Sequence, residues 1–130
     1  MAKILIVDDS VTIRKVLRMI LQAEGHEFIE AIDGIDGLAK FEENPGIALV
    51  LTDINMPNMD GLTMCERLRQ TPRGKTVAIF VISTEGNAEL KSRAKAAGVL
   101  AWMTKPPQAD KLLSAVQTFL KTIQEKASGQ

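Results

Sequence analysis

Five polar side chains, Asp8, Asp9, Asp53, Ser83 and Lys105, stand where apolar runs break off. Ile4 to Val7 runs into Asp8 and Asp9, and Leu49 to Leu51 runs into Thr52-Asp53 and a proline turn. Val77 to Ile82 ends on Ser83, and Leu100 to Met103 on Thr104-Lys105. Apolar character without alternation is what a strand covered on both faces of a parallel sheet requires. The residue just past such a strand sits at its carboxyl end, where open α/β sheets place their chemistry. Parallel strands all end on one edge, so these residues are expected to converge in one pocket.

Singly, each has an ordinary role. Asp8, Asp9 and Ser10 suit caps that accept free backbone N–H groups at a helix start. Asp53 before a proline turn suits an Asx turn, Ser83 suits a cap on the next helix, and Lys105 suits a solvated turn. Together they ask for more. Three carboxylates crowded at one edge repel one another and raise their own pKa values unless a cation is present. A hard divalent ion such as Mg2+ takes oxygen ligands, keeps several waters and can hold a phosphate oxygen as well. A carboxylate can attack phosphorus and form an aspartyl phosphate, while an ammonium and a hydroxyl stabilise the charge on the oxygens. Asp53, Lys105 and Ser83 supply those three groups.

The elements that would position them alternate. Lys3 to Val7 reads as a first strand, and Ile13, Val16, Leu17, Ile20 and Leu21 follow at helical spacing before Gly25. Glu27 to Ala31 reads as a weaker second strand. Asp33-Gly34 then opens a helix with Ile35, Leu38 and Phe41 inward, which ends before Asn44-Pro45-Gly46. The third strand leads to Asp53, and Leu62, Cys65 and Leu68 mark a third helix closed by Thr71-Pro72-Arg73-Gly74. Asn87 to Ala97 makes an alanine-rich fourth helix stopped by Gly98. Leu112, Leu113, Val116, Phe119, Leu120 and Ile123 give the last helix its apolar face. Such alternation implies right-handed crossovers and helices on both faces of a parallel sheet, an α/β, doubly wound (βα)5 three-layer sandwich. Residues 1–124 would form this domain, with 125–130 a frayed tail.

Composition narrows the function. The 130 residues, 45% of them apolar, suffice for one core and leave no room for a second domain. Sixteen Lys and Arg balance sixteen Asp and Glu, which removes the overall positive field used to bind nucleic acid or an anionic membrane. The apolar opening is too short for a signal-peptide core or a membrane span, and one cysteine makes no internal disulfide. Both point to the cytoplasm. Cys65, in an apolar stripe, reads as a small buried hydrophobe. His26 is alone, which excludes a histidine-rich metal site, and it reads as a loop residue after a helix.

In their order, Asp8-Asp9, Asp53, Ser83 and Lys105-Pro106 resemble the receiver domain of the two-component response-regulator family, and the likeness covers nearly the whole chain. Within the family the chain is most similar to the single-domain chemotaxis regulators. The resemblance implies a flavodoxin-like sheet of five parallel strands in order 2-1-3-4-5. It implies that Asp53 accepts a phosphoryl group from a histidine kinase or a histidine phosphotransfer domain. Mg2+ would be held by Asp8, Asp9, Asp53 and the backbone carbonyl of Asn55, with Asp8 acting through water. Lys105 would pair with the phosphate, its bond to Pro106 being cis. Ser83 would move in to bond the phosphoryl group and let Trp102 turn inward, which makes these two the switch residues. The surface of the fourth helix, fifth strand and fifth helix would change with them. Taken by itself, Trp102 also reads as a half-exposed strand aromatic.

Some positions depart from the common pattern. Thr84 stands where many receivers have a small residue, which would slow the access of small phosphodonors or water. Asn55 and Glu85 match positions that tune dephosphorylation, and Pro107 replaces the usual aromatic or apolar residue after Lys-Pro. Arg14, Lys15 and Arg18 lie off the apolar face of the first helix, which in the family docks on the kinase's histidine domain; charge alone reads equally as a solvated basic face. Lys91, Arg93 and Lys95, with Trp102, resemble the face that chemotaxis regulators present to a flagellar switch component.

With no effector domain, output is expected through binding of a monomer to a downstream protein such as that one, without catalysis except on itself. A phosphorelay intermediate, a phosphate sink or control of an unlinked effector are the alternatives. Two readings from other classes rank lower. A Mg2+-dependent phosphohydrolase with an aspartyl intermediate needs Asp-x-Asp after the first strand, where residue 10 is Ser, and a cap domain that has no room here. A nucleotide- or flavin-binding protein needs a glycine in that loop for close phosphate approach, and the loop has none.

Overall fold

The computed structural model describes residues 2–129, with side chains described for residues 2–123. Its strands are β1 (Lys3–Val7), β2 (Glu27–Ala31), β3 (Ile47–Thr52), β4 (Ala78–Ser83) and β5 (Ala101–Thr104). They alternate with helices α1 (Val11–Leu21), α2 (Gly34–Glu43), α3 (Gly61–Leu68), α4 (Ala88–Ala96) and α5 (Ala109–Gly129). All strand pairs are parallel and the sheet order is β2-β1-β3-β4-β5, as the resemblance implied.

The alternation of side chains along each buried strand feeds two layers. Ile4, Ile6, Leu49, Leu51, Phe80 and Ile82 face α1 and α5, where Leu17, Leu21, Leu112 and Val116 close the core. Leu5, Val7, Val50 and Ile79 face the other way, against Phe41 of α2 and Met64, Cys65 and Leu68 of α3. Each fully buried Leu or Ile contributes roughly 2 kcal/mol, which explains why β3 and β4 carry no polar residue before their last positions and β1 none after Lys3. A smaller cluster of Ile54, Leu62, Val81 and Ala94 seats α4.

Four helices begin on a side-chain cap, each worth about 1 kcal/mol. Ser10 accepts from the Ile13 N–H, Asp33 from Asp36, Asp60 from Thr63 and Asn87 from Leu90. The caps sort the polar residues at the strand ends. Ser10 caps α1 and Asn87 caps α4, so neither Asp9 nor Ser83 is occupied in that way.

The structure differs from the sequence reading in places. Ile35, expected inward on α2, is 54% exposed, and the buried stripe of that helix is Gly34, Gly37 and Phe41. A Cβ on Gly34 would lie 2.7 Å from Met59 Cγ, so α2 meets its neighbours most closely through its glycines and turns Ile35 outward. On edge strand β5, pairing starts at Ala101; Leu100 precedes it and is 62% exposed. The expected fraying of 125–130 falls on residues outside the described side chains. No helix among the described residues is long and apolar enough to cross a membrane.

Candidate functional site

Strand register sets the carboxylates side by side. Val7 pairs with Thr52, and the Asp53 N–H donates to the Val7 carbonyl at 3.0 Å, so the ladder continues one residue past both strands and brings Asp53 beside Asp8. Ser83 pairs with Thr104, and the Lys105 N–H donates to the Ser83 carbonyl at 3.1 Å. Strand order reverses at β1, which has β2 on one side and β3 on the other, and the carboxyl edge beside such a reversal is where open α/β sheets bind their ligands.

Lys105 reaches across this edge. Its Nζ lies 2.7 Å from Asp53 Oδ2 and 2.7 Å from Asp8 Oδ2. Asp8 is 1% exposed and Asp53 7%, while Asp9 is exposed. One carboxylate oxygen from each of the three lies within 4.8 Å of the others. Burial pushes the Asp8 carboxyl above its ordinary value, and neither Lys105 nor the Ser10 N–H brings it back. Burial also pulls Lys105 down, but its bonds to Asp53 and Asp8 outweigh that and hold its ammonium above the usual value. One ammonium therefore faces three carboxylates, and the remaining charge, carried only on oxygen, fits a hard divalent cation such as Mg2+.

Asp53 is held on every side. Its Oδ1 accepts from the Ile54 N–H at 2.7 Å, and the Thr52 hydroxyl donates to its carbonyl at 2.8 Å. The Gly61 N–H donates to the Ile54 carbonyl at 2.9 Å, and a Cβ on Gly61 would collide with the Asp53 carbonyl oxygen. The first turn of α3 therefore lies against the peptide that carries Asp53. Asn55 is exposed in the loop that follows.

Ser83, Thr84, Glu85 and Trp102 form a second group. The buried Ser83 hydroxyl accepts from the Glu85 N–H at 3.1 Å. The Trp102 indole N–H donates to the Glu85 carbonyl at 3.2 Å, and Lys91 Nζ lies 5.9 Å from the ring centroid. Glu85 thus joins Ser83 to Trp102 through its own backbone. Thr84 is exposed, Pro107 is half-buried, and the Lys105-Pro106 bond is cis, as the resemblance implied.

Three of the basic residues placed on docking faces also form ion pairs within the molecule. Arg14 donates to the Asp8 carbonyl at 2.6 Å and to Glu30 Oε1 at 2.9 Å, and Arg18 also pairs with Glu30, at 3.0 Å. Arg93 makes a two-pronged pair with Glu66 of α3, both contacts at 2.8 Å, and reaches the Thr63 hydroxyl. In each case a guanidinium fork finds a carboxylate on a neighbouring element. Sequence reasoning also missed Asn58. Its backbone is left-handed, with φ 69°, and its amide donates to Asp33 Oδ2 at 2.8 Å, fastening the loop after Asp53 to the start of α2. Asparagine right after Pro57 was the available signal, since asparagine tolerates that backbone better than most residues. His26 lies before β2, as expected of a loop residue, and its Nδ1 accepts from the Ala2 N–H.

The fold recurs in known proteins. The chain is 36% identical to the "Chemotaxis protein CheY" of Treponema pallidum over 121 residues, 92% of this chain and 83% of that protein. A crystallised "Chemotaxis response regulator CheY4" of Vibrio cholerae matches with TM-score 0.83 and 36% identity, over 91% of this chain and 98% of that one. A solved complex of CheX, CheY, BeF3 and Mg2+ from Borrelia burgdorferi matches with TM-score 0.84 and 32% identity, over 92% of this chain and 89% of that one. Residues 4–117 match the response regulator receiver domain, and with strand order and likeness agreeing, this chain belongs to that family.

Proposed function

We propose that this chain is a stand-alone response regulator whose Asp53 accepts a phosphoryl group from a histidine kinase or histidine phosphotransfer domain. The phosphoryl group would control the binding of a downstream protein in chemotaxis signalling. The observation that carries the reading is the Lys105 ammonium 2.7 Å from both Asp53 and Asp8, with Asp9 beside them. Likeness over nearly the full length of chemotaxis regulators supports the stand-alone role.

An Asp53 oxygen attacks phosphorus, the bond from phosphorus to the donor's imidazole nitrogen breaks, and the imidazole leaves with that electron pair. Lys105, which has two carboxylate partners, exchanges Asp53 for a phosphoryl oxygen without leaving Asp8. Asp8, Asp9, Asp53 and the Asn55 carbonyl would hold Mg2+, which when bound would supply positive charge against the phosphoryl oxygens. Ser83 at present only accepts a hydrogen bond, so its own O–H proton is available to the phosphoryl group. Moving Ser83 moves Glu85, whose carbonyl holds the Trp102 indole, and the surface of Trp102, α4 and α5 changes in turn. A flagellar switch component is the downstream partner this surface suits. Asn55, Thr84 and Glu85 flank the pocket and set how long the phosphoryl group lasts. The chain acts as a cytoplasmic monomer and does no chemistry except on itself.

Intact mass after incubation with acetyl phosphate and Mg2+, with Trp102 fluorescence followed alongside, tests this. One phosphoryl adduct that needs Mg2+ and is lost in Asp53→Asn is the expected result. No adduct but a fluorescence response to beryllofluoride would assign the failure to Thr84 excluding small donors. Neither adduct nor response would overturn the reading.

A further inference from the structure

We propose that Arg14 is a positioning residue for the acidic pocket: its guanidinium fixes the peptide joining Asp8 to Asp9 and so sets how tightly the pocket holds a divalent cation. This rests on the Mg2+ reading of the pocket given above. Asp8 is tied to β2 through the peptides on both sides of it, directly through one and by way of Arg14 through the other. Its N–H donates directly to the Ala31 carbonyl at 3.0 Å, and its carbonyl accepts from Arg14 at 2.6 Å, while Arg14 is in turn held by Glu30, the neighbour of Ala31. The Arg14 side chain is only 13% exposed, so the arrangement is largely shielded from water.

The side chains of Asp8 and Asp9 differ in the same way. Asp8 is fixed by the Ser10 N–H and by Lys105. Among the described residues the Asp9 carboxylate makes no hydrogen bond or ion pair, so its position depends on the backbone that leads into it. That backbone is the peptide whose oxygen Arg14 holds. A planar guanidinium can hold a carbonyl and a carboxylate at once, which a single ammonium does poorly. Glu30 offsets only part of the Arg14 charge, since it also pairs with Arg18, and a cation beside a divalent-ion site opposes binding, so what Arg14 offers the pocket is geometry.

The test is a calorimetric titration of the metal-free chain with Mn2+, with thermal unfolding in chelator recorded for each variant. Arg14→Met is expected to bind Mn2+ about tenfold more weakly than the natural chain, the usual effect of removing a group that orients a ligand. Arg18→Met removes the other cation on Glu30 but leaves the Asp8 carbonyl bonded, and is expected to bind like the natural chain. Arg14→Lys keeps the charge without the fork and is expected to lose affinity in the same direction, and it carries the test alone should Arg14→Met fail to fold. Natural affinity in the Arg14 variants, or an equal loss in Arg18→Met, would overturn the proposal. Absence of Mn2+ binding by the natural chain itself would instead overturn the Mg2+ reading on which it rests.

Discussion

The Lys105 ammonium lies 2.7 Å from Asp53 Oδ2 and bridges to Asp8 Oδ2 at the same distance, so lysine supplies part of the positive charge that the pocket's carboxylates require. Lys105→Met leaves two buried carboxylates facing each other with no counter-charge. The metal-free variant is expected to lose about 3 kcal/mol of stability. Mg2+ should bind it more tightly than the natural chain and raise its unfolding midpoint by more. The phosphoryl adduct should nevertheless fall sharply, because the group that neutralises the oxygens is gone. Chemical denaturation with and without Mg2+, beside intact mass, reads all three.

Two glycines separate a close approach from a backbone requirement. Gly61 has an ordinary backbone, but any Cβ there strikes the Asp53 carbonyl. Gly61→Ala is expected to cost about 3 kcal/mol or more and to lower phosphorylation, since relief requires moving the peptide that carries Asp53. Gly46 has φ +94°, and a Cβ on it would meet nothing within 4 Å, so Gly46→Ala should cost only the backbone penalty, about 1 kcal/mol, and leave phosphorylation unchanged. Urea unfolding and adduct yield measure the contrast.

Ser83 and Trp102 share the Glu85 backbone, whose N–H donates to the Ser83 hydroxyl and whose carbonyl accepts from the Trp102 indole. Ser83→Ala removes the hydroxyl that would bond the phosphoryl group and strands the Glu85 N–H. Beryllofluoride should change Trp102 fluorescence in the natural chain and much less in Ser83→Ala, even where both bind it. A full response in the variant would cut the link between the phosphate pocket and the surface of α4 and β5.

Acid should weaken the fold through Asp33 and Glu66. Hydrogen bonds from the Asp36 N–H and the Asn58 amide hold Asp33 below its ordinary 3.8, and the Arg93 pair holds Glu66 below 4.5. A carboxylate whose folded pKa lies below its unfolded one adds stability above the unfolded value and loses it as pH falls through the folded one. Stability in chelator is therefore expected to fall below about pH 4. Asp8, held above its ordinary value, has the opposite sign, so the decisive comparison is with Asp33→Asn, in which the Asp8 contribution cancels and the acid loss should be shallower.

The sequence by itself determined the alternation of strands and helices and the edge on which chemistry gathers. Ile4 to Val7, Leu49 to Leu51 and Val77 to Ile82 are apolar without a break because both faces are covered, and the polar residue after each run must lie at one edge of a parallel sheet. Hence Asp8, Asp53, Ser83 and Lys105 were legible as one constellation, and Ser10, Asp33 and Asn87 as helix caps or starts. Local pattern cannot report on a partner in another element. Arg14 and Arg93 read as free basic residues because nothing near them in the chain announces Glu30 or Glu66, sixteen and 27 residues away. Ile35 read as inward because apolar spacing cannot tell that Gly34 and Gly37 allow α2 to approach Met59 and Met64 and rotate it. The same holds for Gly61 against Asp53 and for Asn58 on Asp33. Tertiary structure decided these, because a contact between distant segments depends on where packing sets two backbones, and only the folded chain carries that information.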